Sequence, residues 1–180
     1  MYGIIQNSLK NLVVSLQGEK AWNDIACQVG MPTEFNDDQS YSDEDTFMLV
    51  AAVCEKMKID ADECLETFGL HWIAETGSGY HGNLMNLTGS DFREFMKNVN
   101  LLHDKLSTAY PGYIAPSFEV TEVGENLEIR YKSIRKGLSA FVKGILKGLA
   151  KRFSTDIRFI KEVNESTEDL ECTLFIVSID

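Results

Sequence analysis

The sequence predicts an α+β fold, an N-terminal helical part followed by a C-terminal α/β part built on an antiparallel sheet. Three observations predict it. Over roughly the first 110 residues, apolar side chains recur with a helical period. After Pro116 they alternate in two short arms joined by Gly124-Glu125-Asn126, the pattern of a hairpin. Beyond the hairpin, one helical stripe separates it from two further strands. The 180 residues are 44% apolar, enough for a packed core. They read as one domain, with a helical subdomain at about residues 1–60 and an α/β subdomain at about 61–180.

The elements follow in order. Ile4, Ile5, Leu9, Leu12, Val13 and Leu16 form the stripe of a first helix that Gly18 ends. A second helix covers 19 to 29 and closes at Gly30 and Pro32. After the acidic segment Asn36 to Asp45, Ser42 and Asp45 form a capping box for a helix carrying Phe47, Val50, Val53 and Met57. Asp60 and Asp62 open the next, which runs through Cys64, Phe68 and Trp72 and stops at glycines 77, 79 and 82. Thr88 with Asp91 reads as a second capping box. It opens a helix striped by Phe92, Phe95, Met96, Val99, Leu102 and Leu106, which Pro111 and Gly112 break.

In the second half, Phe118 and Val120 alternate on the first hairpin arm, and Leu127, Ile129 and Tyr131 on the second. Lys136 to Phe153 is a basic amphipathic helix loosened by three glycines. Ile157 and Phe159 begin a closing pair of strands, with Asn164 to Asp169 as the turn. Leu174 to Ile179 is apolar on both faces and belongs inside the sheet.

Composition excludes several classes of function. With 28 acidic and 17 basic residues the net charge is −11, which repels nucleic acid and anionic membrane. There is no apolar run long enough to span a bilayer, and the N-terminus lacks a signal peptide's basic region and cleavage site. Cys27, Cys54, Cys64 and Cys172 form no CxxC pair and read as reduced, mostly buried thiols of a cytoplasmic protein. No GxSxG or P-loop motif is present, so no enzymatic activity is expected. Gly77-Ser78-Gly79 reads as a helix terminator before it reads as a phosphate cradle.

The residue of most interest is His103. Positions 92, 96, 99, 103 and 106 share one helical face, so the imidazole lies on an apolar stripe. Such a histidine is either a core residue bonded to a carbonyl or a ligand in an apolar pocket. Neither His71 nor His81 completes a metal cluster with it. A lone histidine suits a haem iron, whose porphyrin supplies four ligands, and does not suit zinc. On an extended strand Tyr131, Ser133 and Arg135 point to one side and offer a phenol, a hydroxyl and a guanidinium, a receptor for a carboxylate. Haem carries two such groups, although a solvated strand face accounts for the pattern equally well. Pro116, between helix and strand, is either punctuation or a wedge against a flat ligand.

Taken together, Met1-Tyr2-Gly3-Ile4-Ile5, His103, Pro116 and the Tyr131/Ser133/Arg135 triplet resemble the haem nitric oxide/oxygen-binding (H-NOX) family, in order and spacing over nearly the whole chain. The resemblance implies a helical distal subdomain, an α/β proximal subdomain and haem b clamped between them. It implies His103 as the iron ligand, the triplet as the propionate anchor and Pro116 packed on the porphyrin. Family members that bind oxygen carry a distal tyrosine on the helix after the triplet. Counted from Tyr131 that position is Ala140, with Leu138, Phe141, Val142 and Ile145 around it and Ile5 and Leu9 opposite. Polarised oxygen needs a hydrogen-bond donor and nitric oxide does not. The resemblance therefore implies binding of nitric oxide, with carbon monoxide possible and oxygen not expected, unless Tyr2 or Tyr80 swings in as a donor.

The expected function is nitric oxide sensing by a change of shape, started when bound nitric oxide weakens the His103–iron bond. With no effector domain before Asp180, the expected reader is a separate protein, by resemblance a histidine kinase or a cyclic-di-GMP enzyme. Two alternatives stay open: a haem-binding redox sensor using Cys172 or Cys54, and a haem-free interaction module that keeps the fold.

Overall fold

The computed structural model describes residues 1–77 and 79–179, without the side chains of Gly79 and Tyr80. Its elements are α1 (Gly3–Gln17), α2 (Glu19–Val29), α3 (Asp43–Met57), α4 (Ala61–Thr76), α5 (Gly79–Thr88), α6 (Phe92–Ala109), β1 (Ser117–Val123), β2 (Asn126–Ser133), α7 (Ser139–Arg152), β3 (Ile157–Asn164) and β4 (Glu171–Ile179). The helical half followed by a half with an antiparallel sheet is the architecture read from the sequence.

Local chemistry sets the helix ends. Gly18 at φ 82° ends α1, and left-handed Gly30 closes α2. The Ser42 hydroxyl accepts from Asp45 N at 3.0 Å at the start of α3, and Asp60 accepts from Glu63 N at 2.8 Å at the start of α4.

Three expectations are corrected. The cap of α6 is Asp91, which accepts from Glu94 N at 2.8 Å while the Glu94 carboxylate takes Ser90 N at 2.8 Å. Thr88 instead ends α5, its hydroxyl donating to Leu84 O at 2.8 Å. Gly77 ends α4 as expected, but Gly79 and Gly82 fall within α5: a Cβ on Gly82 would lie 2.4 Å from Gly77 O, so Gly82 serves close approach rather than termination. Ser78, the middle of the expected glycine cradle, lies outside the described residues. Finally, α7 begins at Ser139 rather than Lys136, because Gly137 turns the chain at φ 79°.

The sheet order is β1-β2-β4-β3 with every pair antiparallel, and the doubly apolar β4 is an inner strand as its sequence required. Its inner face, with Leu127, Ile129, Tyr131, Phe175 and Val177, joins the apolar sides of α6 and α7 in one core. A second core unites Leu9, Leu12, Val13, Trp22, Ile25 and Leu49 from α1, α2 and α3.

Helix α4 belongs to both cores: Cys64, Leu65 and Phe68 enter the helical one and Ile73 the other. Along its middle, α4 crosses α7 with the two backbones in contact. A Cβ on Gly69 would lie 2.1 Å from Phe141 O, and one on Gly144 would lie 2.0 Å from Glu66 O. The glycines of α7 that read as loosening a helix are therefore the seam between the two cores.

Candidate functional site

Between α6 on one side and α1, α4 and α7 on the other lies a largely apolar cavity of about 280 Å³. His103 reaches it from α6 beside Val99 and Leu106. Its ring lies 5.9 Å from that of Phe118 and 6.5 Å from that of Tyr113, centre to centre. Asn100, one turn earlier on α6, ties the helix to the sheet edge: its side chain donates to Phe118 O at 2.7 Å and accepts from Phe118 N at 3.0 Å. No pattern of apolar residues could have revealed that bracket, since a single polar residue makes it.

The electrostatics of His103 are those of a ligand held ready. Burial pushes its pKa below the usual imidazole value, opposed by the Pro116 backbone and by the Asp104 charge. The ring is neutral at neutral pH, and Nδ1 is buried with no hydrogen-bond partner among the described residues. A buried, unpaired nitrogen costs free energy that a core histidine recovers by bonding a carbonyl. Here, among the described residues, only the Pro116 backbone carbonyl lies near enough to offset part of that cost. Among the described residues, no group of three or more His, Cys, Asp or Glu side chains could hold a metal by itself. A group bringing its own equatorial donors, as haem does, fits this donor set.

Tyr131, Ser133 and Arg135 also stand on the lining of the cavity. Tyr131 and Ser133 lie on the inner face of β2, and Arg135 just beyond the strand. Burial pushes the Tyr131 phenol up to about 12, so it remains a neutral donor. Arg135 already holds a carboxylate: Nε donates to Asp43 Oδ2 at 2.7 Å, and Nη1 donates to Ile114 O at 2.7 Å. Burial works against it, but hydrogen bonds from the N-terminal ammonium and Arg135 keep the Asp43 carboxyl below its usual range. Asp43, missed in the sequence because it reads as the first acidic residue of a helix, shows what the guanidinium fork selects.

Pro116, Ile5, Phe141 and Ile145 also line the cavity. Leu9 and Ala140 do not. Leu9, one turn deeper along α1, is wholly buried in the helical core, and Ala140 packs against that same core. The reason is angular: Leu138, Val142, Ile145 and Leu149 set the cavity stripe of α7, and Ala140 lies well off it at 100° per residue.

Sequence reasoning missed the contribution of α4. Trp72, Ile73 and Thr76 face the cavity one turn apart. They read as one more amphipathic stripe, and only the crossing with α7 reveals which space they enter. The Thr76 hydroxyl is engaged, donating to Trp72 O at 2.5 Å, as is the Tyr2 phenol, donating to Pro111 O at 2.7 Å. The side chain of Tyr80, the other expected stand-in donor, lies outside the described residues.

A further structural carboxylate, Glu171, is buried at the start of α7. It accepts from Leu138 N at 3.1 Å, from the Ser139 hydroxyl at 2.6 Å and from Gly137 N. Thus a residue of β4 caps α7 and joins the triplet's end of β2 to the cavity wall. It was invisible in sequence because the cap lies more than thirty residues away.

A family model described as haem-NO-binding matches residues 2–161. The chain is 29% identical over 166 residues to soluble guanylate cyclase gcy-32 of Caenorhabditis elegans, covering 89% of this chain and 24% of that protein. It is 36% identical over 97 residues to guanylate cyclase soluble subunit beta-2 of Homo sapiens, covering 53% of this chain and 15% of that protein. The chain thus spans about a quarter or less of the length of these relatives. Among solved structures it resembles an H-NOX protein from S. oneidensis in the Fe(II)NO ligation state, with TM-score 0.85, 22% identity and coverage of 100% and 99%. It resembles the I5F mutant of T. tengcongensis H-NOX with TM-score 0.89, 18% identity and coverage of 100% and 98%.

Proposed function

The chain belongs to the haem-NO-binding family, and from there we propose that it is a haem-based nitric oxide sensor in which His103 is the only protein ligand to the iron. The observation that carries this reading is the buried, neutral His103 imidazole on the lining of an apolar cavity that Tyr131, Ser133 and Arg135 also line. Haem b supplies the iron at which the gas binds. The chain's own residues do the rest. His103 offers a neutral nitrogen with Phe118 and Tyr113 beside its ring, and Pro116 would pack on the flat face of the group. The guanidinium of Arg135, which here holds Asp43, would hold a propionate, with the Tyr131 and Ser133 hydroxyls as further donors. The helical and sheet cores act as the two lobes, and α4, rooted in both, carries a shift from one to the other.

Arg135→Ala is expected to weaken haem retention by about 2 kcal/mol, roughly thirtyfold, since a charged pair at the cavity mouth loses one member. Transfer of haem to an apo-globin measures it. Retention equal to that of the unmodified chain would remove the propionate role.

Selectivity follows from donors. Thr76 and Tyr2 spend their hydroxyls on carbonyls, and the Tyr110 hydroxyl and His81 ring lie 3.5 Å from each other, so a polarised oxygen ligand finds little help on this wall. A hydrogen bond to such a ligand contributes about 1.5–3 kcal/mol, roughly ten- to a hundredfold in affinity. Absorption spectra of the reduced protein should show nitric oxide and carbon monoxide complexes and no stable oxygen complex. A lasting oxy spectrum in air would overturn this selectivity, and its loss in Trp72→Phe would identify the indole N–H as the donor. A reduced protein that takes up no haem at all would overturn the whole reading.

Output passes to another protein. The proposed readers are a sensor histidine kinase or a cyclic-di-GMP enzyme, recognised in part through the chain's net charge of −11. Among the described residues no helix is long and apolar enough to cross a membrane.

A further inference from the structure

Two of the four cysteines have no place in the gas-binding site, yet the fold brings them together. Cys54 lies in the last turn of α3 and Cys64 in the first turn of α4. Between them Lys58, in a left-handed conformation at φ 58°, reverses the chain. Backbone bonds tighten the hairpin: Ile59 N donates to Cys54 O at 3.3 Å, and Cys64 N donates to Asp60 O at 3.0 Å. Both side chains enter the same helical core, Cys64 wholly buried and Cys54 partly exposed at its edge. Burial first, and then the neighbouring Cys54 thiol, push the Cys64 thiol up to about 12. The turn between α3 and α4 and the shared core place the two cysteines at the same end of the helical lobe.

The other two cysteines lack this arrangement. Cys27 is exposed on α2. The buried Cys172 thiol donates to Glu165 Oε2 at 3.7 Å.

We propose that Cys54 and Cys64 are a thiol-redox site that closes into a disulfide joining the last turn of α3 to the first turn of α4. The oxidant class is a low-molecular-weight disulfide. The Cys54 thiolate attacks it, its S–S bond breaks, and one small thiol leaves. Cys64 then loses its proton and displaces the second small thiol from Cys54. Two protein thiols are oxidised and one small disulfide is reduced to two thiols. Because Cys64 is buried and holds its proton tightly, the second step is the slow one, and the pair stays reduced until the oxidant persists. The bond would fasten the root of α4, whose far end lines the cavity at Trp72, Ile73 and Thr76. The site is independent of the haem assignment, and its test requires no gas ligand.

The experiment incubates the chain with oxidised glutathione, blocks remaining thiols with N-ethylmaleimide and maps the products by mass spectrometry. A glutamyl endopeptidase cuts after Glu34, Glu44, Glu55 and Glu63, so Cys27, Cys54 and Cys64 fall in different peptides. The expected product is a cross-linked pair of those peptides that dithiothreitol separates, with Cys27 carrying glutathione alone. In Cys64→Ala, Cys54 should stop at the glutathione adduct, raising that adduct about tenfold, because the neighbouring thiol normally displaces it at high effective concentration. Cys54→Ser provides a second arm that leaves the buried position intact and should show no cross-link. A Cys54–glutathione adduct of equal yield in the unmodified chain and in Cys64→Ala would overturn the proposal. So would a cross-link that survives Cys54→Ser.

Discussion

A His103→Gly chain is expected to lose its iron ligand and to recover a five-coordinate ferrous spectrum only when free imidazole is added. The expectation follows from what surrounds the ring. Phe118 and Tyr113 flank it and Asn100 holds its helix against β1, so the space left by the deleted ring should stay open. The substitution leaves an imidazole-sized gap beside the apolar cavity, which a soluble imidazole can fill. The other two histidines are poor replacements: His71 faces Glu75 at 3.6 Å, and His81 lies 3.5 Å from the Tyr110 hydroxyl. Glycine within α6 costs about 1 kcal/mol of helix stability. His103→Ala, which avoids that cost, therefore accompanies it and should give the same spectral change. Ferrous spectra of both variants, with and without imidazole, check the assignment. An unchanged spectrum in the absence of imidazole would show that iron is held by another residue, and the apolar-stripe argument would then fail at its central step.

Much of this site could be read in the sequence because its parts are local. The stripe that carries His103 is a property of one helix, and the alternation of Tyr131 and Ser133 a property of one strand. Each depends only on backbone period. Periodicity alone did not establish the ligand roles; they came from the family resemblance, and the structure adds the buried, neutral imidazole and the engaged guanidinium. What could not be read depends on two segments meeting. The Asp43–Arg135 pair joins residues 92 apart, and the Glu171 cap of α7 joins residues about 33 apart. Ala140 illustrates the same limit: a count along the chain identifies a position but not its direction, and one helical step of 100° turns it from the cavity to the helical core. The glycines were misread for a related reason. At 82 and 144 a glycine looks like a weak helix former, and only the partner backbone shows why no side chain is tolerated.

The α4–α7 seam gives the sharpest expectation for stability. Alanine is a better helix former than glycine by about 1 kcal/mol, so intrinsic propensity alone would make Gly144→Ala stabilising. The crossing reverses the sign. A Cβ at position 144 would lie 2.0 Å from Glu66 O and 2.8 Å from Glu66 C, both backbone atoms that cannot rotate away. Relief requires the two helices to separate, and that opens the contact between the helical core and the sheet core along its length. The expected loss is about 3–5 kcal/mol in urea denaturation, at the upper end for overpacking. Gly148→Ala, one turn on, is the internal comparison. Its Cβ would lie 2.8 Å from Ile73 Cβ, an atom that moves only with its own backbone, but the overlap is smaller than at position 144, so the cost should be about 1–3 kcal/mol, below that of Gly144→Ala. Because Ile73 and its neighbour Trp72 line the cavity, displacement of α4 in Gly144→Ala should also perturb the spectrum of the carbon monoxide complex. Equal losses in the two variants, or a gain in Gly144→Ala, would mean that the helices are not held backbone to backbone. The α4–α7 crossing would then no longer be the connection through which the two lobes move together.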